Sequence, residues 1–294
     1  GSWYRYSFQM PDGDMNDYPK LAVWPDAYYM TDHQFKGNTY TGAGVFAFDR
    51  AKMLAGQPAT YIYFNLKDID INLGGHLPAD FDGLNPPPVG APGIFMELDH
   101  GIAADGDAYL MRIWEFHADF TNPSNSTFGS TASGDWGHAN YKLDVDPFNY
   151  LYGYVVPQKD TGRMLDAIGD RLMYRLAYRN FGDRQVLVGS QTVDAGSGRA
   201  GIRWFEVQDS GTGWNIRQQG TYAPGDGAYR WMGSIAADAM GNLALGFSIS
   251  SGSMFPSINY TGRLANDPLG AMAQGEAVLV SGPAFGTLSL NTNG

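Results

Sequence analysis

A chain of 294 residues with a net charge of −11 lacks the basic face that displaces phosphate counterions, which excludes nucleic acid as a partner. The absence of cysteine removes disulfides, thiolate catalysis and Cys-ligated zinc. Hydrophobic residues make up 44% and aromatics 14%, enough for a sizeable core, yet no apolar run reaches the roughly 18 residues of a membrane span.

The 39 Gly and 16 Pro are scattered among Tyr, Trp and Phe, a mixture that favours many short strands joined by turns. Only four acidic residues are Glu (Glu97, Glu115, Glu206, Glu276); the rest are Asp, which suits turns and also ligates hard cations. In chain order, "SWYRYSFQ" (2–9) reads as the fourth strand of a unit whose first three strands are missing. A first complete four-stranded unit follows over 18–66, with one helical turn at "DRAKML" (49–54). A second spans 77–147, with a Pro-rich connection "GLNPPPVGAPG" and a Gly/Ser-rich one, "NPSNSTFGSTASGDWG". The stretch "TGRMLDAIGD" (161–170) reads as another helical turn.

The third and fourth units, 171–222 and 230–282, resemble each other in register. "RLMYRLAYRNFGD" (171–183) aligns with "RWMGSIAADAMGN" (230–242): Arg171 with Arg230, Met173 with Met232, Leu176 with Ile235, Ala177 with Ala236, Gly182 with Gly241. Each unit carries four strands over roughly fifty residues, the period of propeller blades. The expected fold is therefore all-β, a β-propeller-type array of four-stranded antiparallel blades in a single domain over 1–294. Four blades are complete and the ends do not close, so the expectation is a segment of a larger propeller.

Several long motifs add a resemblance. "NDYPKLAVWPDAYYMT" (16–31), "RIWEFHADFTNPSNSTF" (112–128), "DRLMYRLAYRNFGD" (170–183), "GIRWFEV" (201–207), "QQGTYAPGDGAYRWMGSIAADAMGNLALGFSIS" (218–250) and "YTGRLANDPLGAMAQGE" (260–276) resemble a group of large, exported, uncharacterised bacterial proteins with a β-propeller region. The resemblance implies fold and export, not a reaction. "SIAADAMGNLALG" (234–246) is more loosely similar to the Asp-box turns of sialidase-type propellers, without their strict Ser-x-Asp-x-Gly-x-x-Trp spacing.

Candidate chemistry centres on the arginine strip. Arg175 and Arg179 share one side of their strand, and Arg230 repeats Arg171 in the next unit. Guanidinium forks converging from neighbouring blades match a carboxylate or sulfate. With Tyr174, Tyr229 and Asp17 they form the candidate ligand site; the competing structural reading pairs them with nearby Asp. Glu115 and Glu206, each beside Trp, are better read as strand carboxylates than as a glycosidase pair. For metal, Asp12, Asp14 and Asn16 alternate like the start of a calcium loop, and Asp68, Asp70 and Asn72 repeat the spacing; Asp105 and Asp107 are a third candidate. The five histidines (His33, His76, His100, His117, His138) show no zinc spacing. Asn125 and Asn259 head glycosylation sequons.

The leading expectation is an extracellular or cell-surface binding or scaffolding module for a glycan or protein ligand, with structural calcium. A glycan-active hydrolase or lyase using the Arg/Tyr/Asp site is one alternative. Self-assembly through open blade ends is another.

Overall fold

The computed structural model describes residues 3–99, 109–130 and 138–286. The expectations placed on His100, Asp105 and Asp107 lie outside the described residues. Within them the protein is all-β, with only short helical turns. It divides into two compact units. One holds residues 1–147, 174–188 and 206–217, the other 148–173, 189–205 and 218–294.

The first unit opens with β1 (Met15–Val23), β2 (Ala27–Lys36), β3 (Thr39–Asp49) and β4 (Tyr61–Asn65), an antiparallel sheet in chain order. β1 alternates exposed and partly buried residues, as an edge strand with one wet face should. β3 is buried without a break from Gly42 to Asp49. Helix α1 (Arg50–Leu54) follows where "DRAKML" placed it. The Asp49 carboxylate caps it by accepting from the Lys52 N–H at 3.1 Å. Met30, Phe46 and Phe48 form a core patch, with Phe8, Tyr61 and Tyr63 packed against it.

Residues 3–9 are not the strand expected there. Side chains rather than backbone pairing hold the segment. Tyr6 donates its hydroxyl to the carbonyls of Met53 and Gln57, Tyr61 donates to the Gln9 carbonyl, and Phe8 packs on Phe48.

Next come β5 (Leu77–Asp82), β6 (Gly93–Asp99), β7 (Leu110–His117), β8 (Thr127–Phe128) and β9 (Tyr141–Asp144). β6 and β7 pair antiparallel from Gly93↔Phe116 to Asp99↔Leu110, and both β8 and β9 pair with β7. Tyr29, Phe95, Phe116 and Phe128 interlock beneath these strands at ring separations of 5.3–6.1 Å.

The stretch 161–170 is not helical. It contributes Leu165–Asp166 (β11), paired with Tyr154–Val156 (β10). The Asp166 carboxylate accepts from the Ile168 N–H, and Gly169 approaches the Leu151 backbone so closely that a Cβ would collide with it. That turn chemistry wins over a weak helical pattern.

β12 (Leu172–Asn180), β13 (Gln185–Asp194), β14 (Ala200–Asp209) and β15 (Asn215–Tyr222) form a consecutive meander. The second and third expected sheets, however, are not separate. β12 pairs in parallel with β5, Leu176–Arg179 against Ala79–Asp82, giving one sheet in the order β15-β14-β13-β12-β5-β6-β7-β8 with β9 also on β7. The reason lies in side chains: Arg175 on β12 reaches Asp80 and both oxygens of Asp82 on β5, at 2.7–2.9 Å. Charge-assisted forks of this kind fix register where only four residue pairs are available.

The fourth sheet is the expected antiparallel meander: β16 (Tyr229–Ala237), β17 (Leu243–Ser251), β18 (Met254–Arg263) and β19 (Gln274–Val280). Trp231 joins Leu151, Val156, Ala167 and Ala200 in the core of the second unit.

The Asp excess goes largely into turns. Asp209 accepts from the N–H groups of Gly211, Thr212 and Gly213; Asp194 from Gly196 and Gly198; Asp238 from Met240 and Asn242. Each carboxylate replaces backbone partners that a tight hairpin leaves unmade. Asp209, Gly211 and Trp214 carry the Asp-x-Gly-x-x-Trp spacing between β14 and β15, one hairpin earlier than the looser likeness at 234–246.

Candidate functional site

The arginines of the 171–183 stretch have partners within the chain. Arg175 is held by Asp82 and Asp80, whose hydrogen bonds keep its guanidinium above the usual range against the opposing effect of burial. Tyr174 donates its hydroxyl to the Leu21 carbonyl at 3.0 Å. Arg179 lies over Gly83, where a Cβ would collide with its guanidinium. Arg171 pairs with its neighbour Asp170. Asp17 is exposed on β1, in register with His33 on β2.

In the second unit Arg230 is 1% exposed. Its Nε donates to Glu276 at 2.8 Å and its two terminal nitrogens to Asp226 at 3.0 and 2.6 Å. Burial alone would lower its pKa, but the two carboxylates more than offset it; in return Arg230 holds Asp226 down to about 2. Tyr222 and Asn259 donate to Glu276 as well. Tyr229 packs against the Trp231 core rather than joining this network. The Arg171–Arg230 alignment therefore pairs one arginine bound to its chain neighbour with one buried hub.

The candidate calcium residues sit in turns or at the start of β1, several with partners within the chain. Asp12 sits in a 3-10 turn with positive φ, and Asp14 accepts from Thr41 at 2.7 Å. Asp68 ends a 3-10 turn, and Asp70 accepts from the Asn72 backbone and side chain at 2.9 Å. Asn16 lies on β1 near Asp32. Among the described residues no three acidic or imidazole groups converge on one point. Of the two sequons, Asn125 is exposed, whereas Asn259 is buried with its amide donated to Glu276.

Glu206 faces Arg217 at 3.4 Å, and Glu115 faces His117 at 3.6 Å. His76 is fully buried against Trp114, and burial pushes its imidazole well below the usual range while Glu97 stands 3.1 Å away.

A concave site in the first unit went unread in the sequence. A cleft of about 450 Å³ is lined by Pro25 and Asp26 before β2, by residues 86–92 between β5 and β6, and by His117 at the end of β7 with Ala118 just beyond it. That volume lies within the roughly 300–1,000 Å³ typical of ligand sites. Its walls are fixed from behind. Trp24 Nε1 donates to the Ala91 carbonyl, Asn180 to Pro86, Arg50 to Pro25, and the Ala91 N–H closes a turn on Pro88. Proline adds its own stiffness, because φ is locked and no N–H remains to satisfy. Gly93 is required here: a Cβ would strike the Tyr29 ring.

Asp26 opens to solvent at the cleft, yet the surrounding protein desolvates its carboxyl and raises its pKa; the Tyr29 hydroxyl, donated at 3.0 Å, pulls the other way. Tyr29 itself is buried, and burial next to Asp26 raises its phenol. His117, half exposed, also lines the cleft, and its charge works to lower the Asp26 carboxyl. The usable sequence signal was the proline cluster at 86–92 together with "WPD" at 24–26.

No family model matches the chain, and no curated protein matches it. Among solved structures it is similar to a protein of unknown function from Dyadobacter fermentans, at 12% identity and a TM-score of 0.36. That match covers 86% of this chain and 66% of the other, just under two thirds. A second similarity is to an endo-arabinase from Bacteroides thetaiotaomicron, at 11% identity and a TM-score of 0.31, over 86% of this chain and 75% of that one. At these scores neither likeness carries an argument about this chain.

Proposed function

We propose that this protein is a glycan-binding module of an exported or cell-surface protein, built from propeller-type blades, with the proline-walled cleft as its sugar site. The lining of the cleft carries the reading. Proline faces offer rigid apolar surface to the C–H face of a sugar ring. Asp26 offers a carboxyl acceptor to its hydroxyls, and His117 a second polar contact. The acidic neighbours Asp26 and Glu115, on a chain of net charge −11, favour a neutral sugar over an anionic one. The consecutive four-stranded meanders β1–β4 and β16–β19 and the Asp209 turn support the blade reading.

Titration calorimetry of the whole chain against a panel of neutral oligosaccharides tests the site. Saturable binding is expected, weakened about tenfold or more in Asp26→Ala, the loss of one charged hydrogen-bond partner. No binding to any neutral sugar, or binding indifferent to Asp26→Ala, overturns it. A specific observation favours one alternative: a carboxyl with a raised pKa suits a general acid. Release of reducing ends from a polysaccharide by the wild type, lost in Asp26→Asn, would assign a hydrolase instead.

Structural calcium is part of the same proposal, at the Asp-rich turns 12–16 and 68–72. Chelation should then lower the melting temperature by several degrees, as loss of any native-state ligand does. An unchanged transition in chelator removes calcium from the account.

A further inference from the structure

Sheets end in edge strands, and unprotected edges recruit other strands. The edges of this protein are mostly guarded. β1 carries Pro19 and a register shift between Asp17 and Lys20. In the second unit, Gly270 closes on β15: its N–H donates to the Gln218 side chain, and its carbonyl stands where a Cβ on Gly220 would go. On β16, the Met232 N–H is taken by the Thr192 hydroxyl, and Gly233 packs against Ser190 and Ile202.

β19 has neither proline nor, among the described residues, a loop packed on it, and keeps only shifts of register against β18, between Ile258 and Asn259 and between Tyr260 and Gly262. Among the described strands it pairs with β18 alone. Val278, Leu279 and Val280 are 61%, 65% and 52% exposed, so neither face of this run is buried. On β18, Ile258 stands directly opposite Val280, and both it and Tyr260 are exposed. No Pro, Lys or Arg interrupts the strand. Its one charge, Glu276, is already neutralised by Arg230 and hydrogen-bonded by Tyr222 and Asn259.

We propose that β19 pairs antiparallel with β19 of a second copy of this chain about a two-fold axis, joining two four-stranded sheets into one of eight. Charge selects this occupant. Two copies of a chain of net charge −11 repel each other overall, but residues 277–283 are uncharged and meet their equivalents without opposing like charges. A basic or acidic segment gains no ion pair there. An antiparallel isologous contact sets the same apolar run against itself, the self-complementarity that a two-fold requires.

Sedimentation equilibrium or light scattering over a concentration series reads the outcome. The expected mass of the whole chain is twice 32.0 kDa. Val278→Lys and Leu279→Lys each place two like charges at the junction and should weaken dimerisation about tenfold or more. Both positions are exposed, and an unchanged melting temperature shows that the variants fold. Because the chain contains no cysteine, Leu279→Cys supplies an independent readout: mild oxidant should give a disulfide-linked dimer. A wild type that stays at one chain mass overturns the proposal, even if its edge captures an unrelated extended peptide. So does a dimer that both lysine variants leave intact.

Discussion

Arg230→Ala is expected to lower the unfolding free energy by about 3–5 kcal/mol, the typical result of removing one partner from a buried ion pair. The argument rests on what is left behind. Arg230 spans from β16 to Glu276 on β19, with its guanidinium near the Tyr222 and Phe247 rings at 5.7 and 5.9 Å. Without it, Glu276 keeps only Tyr222 and Asn259 as donors in a site where its side chain is 18% exposed. Asp226, at 49% exposure, regains water and contributes little to the loss. Urea titration measures the change. Arg230→Met separates charge from packing: it should stay destabilised alone and recover in part when combined with Glu276→Gln, because the second change removes the stranded charge. A loss below about 1 kcal/mol for Arg230→Ala would place the network among ordinary surface ion pairs.

The second large effect is a pH dependence seated at Asp32. This residue on β2 is 1% exposed; burial raises its carboxyl to about 6, against the pull of the Gly44 N–H at 3.1 Å and of the Gln34 and Asn16 side chains. The unfolded chain releases that proton near the ordinary value of 3.8, so between 3.8 and about 6 the folded state binds one proton more than the unfolded state. Stability therefore falls as pH rises through this window, by about 1.4 kcal/mol per unit and about 3 kcal/mol in all. The contribution is complete below the unfolded value and gone above the folded one. Other carboxylates titrate nearby, so the quantity to measure is the difference between wild type and Asp32→Asn in urea titrations across the window. Asn mimics the protonated acid and should gain on the wild type by that amount as pH rises. A difference that stays constant with pH would remove Asp32 as the source.

Strand positions were largely legible in the sequence, because Gly, Asp and Asn punctuate β-rich runs and short-range chemistry decides them. The twin stretches at 171–183 and 230–242 do become the first strands of successive meanders. Even so, their hairpins differ: Phe181 closes on Arg184, whereas Asp238 closes on Asn242. The parallel seam between β12 and β5 was not legible. Its partners lie 93 residues or more apart, and nothing local to either strand announces the other. The arginines were visible as residue types, but type could not say that Arg175 and Arg230 face carboxylates of their own chain. The cleft was missed because its lining comes from three separated segments, and prolines between strands read as mere connection.

The same seam has a consequence for how the chain is made. β5 leaves the ribosome with one edge open, and the strand that covers it follows roughly ninety residues later. The first unit also takes in 206–217, so it cannot be complete before Arg217 has been synthesised. Closing so long a loop costs entropy before any contact rewards it. In the interval the sheet β5–β7 presents a bare edge to every other nascent chain. Vectorial synthesis, more than final stability, is where this fold is most exposed to misassembly.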